Sequence, residues 1–175
     1  MQQTMLALGA LLILVTLTLN QQRSAFLLQK NAYLREMETA AADFAKKRLH
    51  EISIKDFDEA RTGMTILDPG LTDLTTFANF GADPGENVYD FFTLDDIDDF
   101  HGHADTTLHL LNGEEFQIVA NYDVRYVKPD GDESLTGPTL AKEVTVDART
   151  LDSVGAARAQ VSFQKVIVIS DYINN

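Results

Sequence analysis

The first fifty or so residues constrain this chain more than any other part of it. From Met1 to Gln22 no side chain carries a charge, and Met5 to Leu19 is almost wholly apolar. The first proline is Pro69, and Gly9 is the only glycine before Gly63. Nothing in this stretch breaks a helix, so it predicts one continuous rod of roughly 75 Å at 1.5 Å rise per residue. Its front half suits a membrane and its back half suits water. A globular domain of this size spans about half that length, so much of the rod must pack on something outside its own domain.

Three origins compete for the apolar run. A cleaved secretory signal begins with basic residues and ends at small ones. Here no Lys or Arg comes first, and Leu19-Asn20-Gln21-Gln22-Arg23 is a poor cleavage site. A single-pass anchor needs about 20 apolar residues, and Met1 to Leu19 just reaches the lower range. The first charges after it, Arg23, Lys30 and Arg35, are basic, and on their own would hold the following domain in the cytoplasm. The third reading is a processed N-terminus whose basic leader has been removed, which places the domain outside.

Beyond the apolar run, Leu27, Leu34, Met37, Ala41, Phe44 and Ile52 recur at helical spacing. They predict a stripe that docks on a sheet of the same chain. Arg35, Glu38, Asp43, Lys46, Lys47 and Glu51 line the other side. A coiled-coil stalk is the competing reading, but Lys30 and Arg48 interrupt its seam. Gly63 is the latest expected stop for the helix, and Ser53 the earliest. The chain thus divides into an apolar helix (1–25), its amphipathic continuation (26–62) and a globular domain (63–175).

Charge follows the same division. Residues 1–52 carry six Lys/Arg and four Asp/Glu, whereas residues 53–175 carry eight and 23, a net of −15. So acidic a domain repels nucleic acid, and no nucleic-acid partner is expected. There is no cysteine, which excludes disulfides and thiolate metal sites.

In the globular part, residues 64–114 read as a long loop region, punctuated by Pro69-Gly70, Pro84-Gly85, His101-Gly102 and Asn112-Gly113. Phe116, Ile118, Ala120, Tyr122, Val124 and Tyr126 then alternate with polar residues, as in a half-buried strand. Lys142–Asp147 and Val161–Ser170 predict two more strands. Helix, loops and then sheet in sequence read as an α+β fold, a long N-terminal helix packed on a C-terminal antiparallel sheet.

An uncharged apolar start, an unbroken helix and a terminal antiparallel sheet together resemble a type IV pilin or pseudopilin in its mature form. The acidic phrase Thr93 to Gly102 (TLDDIDDFHG) is similar to a segment in prepilin-type proteins of the mannose-sensitive haemagglutinin pilus group. The strands Phe116 to Val127 and Glu143 to Asp147 follow where that group has them. Three features depart from the family. Met5 stands where most such subunits have a glutamate, Gln22 stands near a common helix-kinking proline, and no cysteine closes a C-terminal loop. Some tip-located pseudopilins also lack the glutamate. The resemblance implies an inner-membrane stage, a prepilin peptidase, a pilus assembly machinery and an extracellular filament at the cell surface.

Physical chemistry leads the same way. A greasy rod must sit in lipid or in a bundle of its own kind. The expected assembly surface comprises Met1, Met5, Leu6, Ala7, Leu8, Gly9, Ala10, Leu11, Leu12, Ile13, Leu14, Val15, Leu17 and Leu19, with Ala7, Gly9 and Ala10 allowing close helix approach. The other reading is an inner-membrane-anchored binding domain, or a minor or tip pseudopilin of a secretion system.

The acidic run is the only cluster that looks like a site. If an ion binds, Ca²⁺ on Asp95, Asp96, Asp98 and Asp99 is the expected arrangement, although the spacing is not that of an EF-hand. A solvated loop with turn-capping aspartates accounts for the same residues. His101, His103 and His109 form a weak metal signal. No GxSxG, HExxH or P-loop pattern is present, and no enzymatic activity is expected.

Overall fold

The computed structural model describes residues 2–58, 71, 74–87, 90–111, 113–128, 137–152 and 154–169. One helix, α1, spans Gln2–Ile52. Four strands follow: β1 Ala104–Leu111, β2 Glu114–Tyr126, β3 Ala141–Leu151 and β4 Ala157–Val168. The architecture is α+β, as the order of patterns predicts. The chain divides into two compact units, Met1–Met37 and Glu38–Asn175.

In the first unit the helix is unbroken, and its apolar side chains face outward. Met5 is 78% exposed, Leu12 60% and Leu19 60%. The helix is long and apolar enough to cross a membrane, with a mean hydropathy of 1.6 over its most apolar window. Thr16 and Thr18 do not interrupt it, because their hydroxyls donate to the Ile13 carbonyl (2.8 Å) and to the Leu14 and Val15 carbonyls (3.0 and 2.9 Å). The expected packing stripe starts later than the sequence suggests. Leu27 is 48% exposed and Leu34 half-buried, while Met37 is buried.

In the second unit the last turns of α1 pack on the sheet. Ala41, Ala45 and Ile52 are fully buried, at spacings of four and seven that keep them on one face. Phe44 is half-buried. Arg48, which reads in sequence as a break in the apolar seam, belongs to the packed face. Its guanidinium lies 4.1 Å from the Phe91 ring centroid, bonds Glu51 at 2.7 Å and ion-pairs Asp105 of β1. Its aliphatic stem adds apolar contact there. The helix stops at the early limit, where the Ser53 hydroxyl donates to the His50 carbonyl (2.8 Å). Gly63, the latest expected stop, lies outside the described residues.

The sheet is an antiparallel meander in the order β1-β2-β3-β4. In β2 all six alternating residues from Phe116 to Tyr126 are buried, as their period predicts. They meet β3 in register, Tyr122 opposite Val146 and Tyr126 opposite Lys142. The strand β1 corrects the reading of 64–114 as loop throughout. At its core-facing positions it carries polar residues, with Asp105 opposite Ala120 and Thr107 opposite Ile118, while Leu108 and Leu110 point outward and are exposed. Its hydrophobic alternation is therefore inverted. Gly113 at φ 85° closes the β1–β2 hairpin, where a side chain would be strained.

Burial separates two aromatics that both meet Phe91. Phe100 is fully buried, 4.9 Å from Phe91 by ring centroids, whereas Phe92 is 74% exposed. Urea unfolding of the detergent-solubilised chain is expected to show Phe100→Ala losing about 3–5 kcal/mol. Phe92→Ala should change stability by about 0.5 kcal/mol at most. Equal effects would mean that the aromatic core is not placed as described.

Candidate functional site

The acidic phrase is folded inward. After α1 the chain runs beside it: the Asp56 amide donates to the Asp95 carbonyl (3.3 Å), and the Ile97 amide donates to the Asp56 carbonyl (2.9 Å). Lys55 Nζ donates to the Leu94 carbonyl at 2.6 Å. These bonds fix a single 3-10 turn at Asp98–Phe100, in which all three residues are buried.

The aspartates of the phrase hold this turn from within. Asp96 Oδ1 accepts from the amides of Asp98 (2.9 Å) and Asp99 (3.2 Å). Asp99 Oδ2 accepts from the amides of Asp95 and Asp96, both at 3.1 Å. This reciprocal capping leaves few backbone donors unsatisfied in a buried loop. Asp98 takes a different role, forming an ion pair with Lys142 of β3.

Lys142 is the centre of the polar core. Its side chain is fully buried, and it donates to Asp58 Oδ2 (3.0 Å), to the Phe57 carbonyl (2.5 Å) and to Asp98 Oδ1. The rings of Phe57, Phe80 and Tyr126 surround it, with centroids 4.6, 5.2 and 5.3 Å from Nζ. Asp58 accepts from the Thr75 amide and hydroxyl, each at 3.1 Å. The Tyr126 hydroxyl donates to the Thr75 carbonyl at 2.7 Å and lies 3.2 Å from Asp58 Oδ2. Burial, with Asp58 and Asp98 close by, pushes the Tyr126 phenol up, so it serves as a neutral donor.

The four carboxylates expected to bind Ca²⁺ therefore do not converge. Asp98 is committed to Lys142, and Asp96 to the turn. Among the described residues the one place where three carboxylates meet is Glu86, Asp95 and Asp99, whose oxygens lie within 4.8 Å of one another. Hard oxygens at that separation suit a divalent ion of the Ca²⁺ class. Glu86 already accepts from the amides of Asp83 (2.8 Å) and Asp95 (3.2 Å). The histidines do not join this group. His101 Nδ1 accepts from the Val124 amide (3.3 Å), His103 stacks on Tyr122, and His109 packs against Phe116. A shallow cleft of about 390 Å³ runs past Gly81, Asp99, His101 and His103.

Sequence reading missed Lys142 and Asp58. Lys142 opens a predicted strand whose even positions, Val144 and Val146, face the core, and that parity is the signal that could have found it. Asp58 lies in a stretch with no periodicity, so nothing marks it.

Comparison of the chain with protein-family models, curated proteins and solved structures finds no match.

Burial raises the Asp96 carboxyl to about 9, helped by the charges of Asp98 and Asp99. Burial raises Asp99 to about 7, and Glu86 adds to the effect. Both groups bind a proton in the folded chain at pH values where the unfolded chain, with aspartate near 3.8, has lost it. This contribution to stability is full below about pH 4 and is lost as pH rises through about 7 and then about 9. Thermal melts should therefore show a lower midpoint at about pH 8 than at about pH 5, with a smaller difference in Asp96→Asn. A midpoint that climbs over this range in the parent chain would refute the protonated cluster. Lys142→Met strands two buried carboxylates and should cost about 3–5 kcal/mol in urea unfolding.

Proposed function

We propose that this chain is a structural subunit of an extracellular filament of the type IV pilus kind, polymerising through the apolar half of α1. The observation that carries the proposal is the exposure of Met5, Leu8, Leu12 and Leu19 on a helix with no break. Such a surface is stable only in lipid or against other apolar helices. Lipid suits the subunit before assembly. A bundle of copies suits it afterwards, and head-to-tail packing with a rotation that does not close gives an open helical polymer.

Ala7, Gly9 and Ala10 support close packing between copies. A Cβ added at Gly9 meets nothing within 4 Å of its own chain, so that position is free for a neighbour. The compact α+β unit supplies a folded coat that does not need the apolar helix for its own core. A membrane-tethered binding domain would use the same helix only as an anchor. It would give no reason for the helix to continue unbroken through the amphipathic stretch.

Electron microscopy of material sheared from cells, with mass spectrometry of the same material, tests the proposal. Filaments composed mainly of this chain are expected. Recovery of the chain only from membranes, with no filament containing it, would replace the proposal with the tethered domain. Ala10→Glu places a charge in the bundle and should abolish filaments while the α+β unit still folds. Filaments built from that variant would exclude the bundle.

A further inference from the structure

The chain has no cysteine, so a covalent restraint on its α+β unit must come from other side chains. The Lys142 site holds the components of one. The amine of Lys142 touches the carboxylate of Asp98, with side-chain exposures of 0% and 5%. Asp58 touches the same amine at 3.0 Å and is likewise fully buried. Phe57, Phe80 and Tyr126 wall the amine from solvent.

An amine and a carboxyl condense to an amide when three conditions hold together. They must be held in contact, which replaces a bimolecular encounter. Water must be excluded, so that the product is not returned to its components. A second carboxylate must sit at the amine, to take a proton from it and return one to the leaving oxygen. All three meet here, and they single out Asp98 rather than Asp58. Asp58 is held by the Thr75 amide and hydroxyl and lies 3.2 Å from the Tyr126 hydroxyl, which leaves it to carry the proton.

We propose that Lys142 and Asp98 form an intramolecular isopeptide bond between β3 and the buried 3-10 turn, with Asp58 carrying a proton from the amine to the leaving oxygen. One proton passes from Nζ to Asp98, leaving a neutral amine against a neutral carboxyl. The Nζ lone pair attacks Cγ of Asp98, and a second Nζ proton passes to Asp58. Asp58 then returns that proton to the Asp98 hydroxyl, the Cγ–O bond breaks and one water leaves. The third Nζ hydrogen remains on the amide nitrogen, and no oxidant or co-reactant is needed. The ion pair in the structure is the arrangement that precedes this bond. The proposal is independent of filament formation.

Intact-mass spectrometry of the full-length chain in detergent, followed by proteolysis and tandem fragmentation, tests it. The expected result is a mass lower than that of the sequence by one water, with a branched peptide joining residues 98 and 142. A chain of full sequence mass whose Lys142 and Asp98 peptides separate freely would overturn the proposal. So would a missing water traced to a cyclic imide at Asp130-Gly131. Asp98→Ala should restore the full mass. Asp58→Asn should slow linking about a hundredfold or more. Unchanged linking in Asp58→Asn would overturn the proton-carrying role of Asp58.

Discussion

Lys142 carries a cation to a point that solvent does not reach, and a charge there has to be matched by partners fixed in place. The partners come from three separate parts of the chain. Asp58 arrives from the segment after α1, Asp98 from the acidic turn and Tyr126 from the neighbouring strand. Neither the segment after α1 nor the acidic turn has a regular hydrophobic period of its own, and each is positioned by the charge it serves. The irregular stretch between helix and sheet is ordered in this way without a continuous apolar face. A buried ionic network of this sort contributes specificity more than strength, because desolvation offsets much of the attraction.

A second polar contact ties the last turns of the helix to the sheet. Arg48 reaches from α1 to Asp105 on β1 while its guanidinium lies over Phe91. Burial and the neighbouring Asp105 push the Tyr122 phenol up, so the hydroxyl stays neutral beside the guanidinium. Edge strand β1 is thereby tied to the helix through a charge and not through leucine. That explains why Leu108 and Leu110 are left on its outer surface.

Much of the fold is legible in the sequence where one physical demand acts alone. The helix needs only the absence of breakers, and β2 needs only alternation. Legibility fails where two demands compete. β1 places Asp105 and Thr107 toward the core because Arg48 needs a partner, so its pattern reads backwards. Ala45 escapes the expected stripe because alanine is equally at home on either face of a helix. The acidic phrase looks like a solvated loop or an ion site because sequence shows its charges and not the lysine that lies far along the chain. Leu27 fails for the opposite reason: spacing identifies a face but does not say how far along the helix that face is covered.

The distribution of charge then follows from the two environments the chain has to satisfy. Arg23 closely follows the apolar run, where lipid headgroups would meet it before assembly, and Lys30 and Arg35 add positive charge farther along the helix. In the proposed filament those cations leave lipid phosphate behind, and an acidic coat with a net of −15 becomes the compensating charge available within the chain itself. Repulsion between neighbouring coats opposes close packing, and the apolar helices must outweigh it. Salt screens that repulsion beyond about 8 Å at physiological ionic strength, which reduces what the burial of apolar surface has to outweigh. An acidic coat and an uncharged core are therefore compatible in one polymer. In the proposed polymer the first would keep separate filaments apart in solution, and the second would hold the subunits of one filament together.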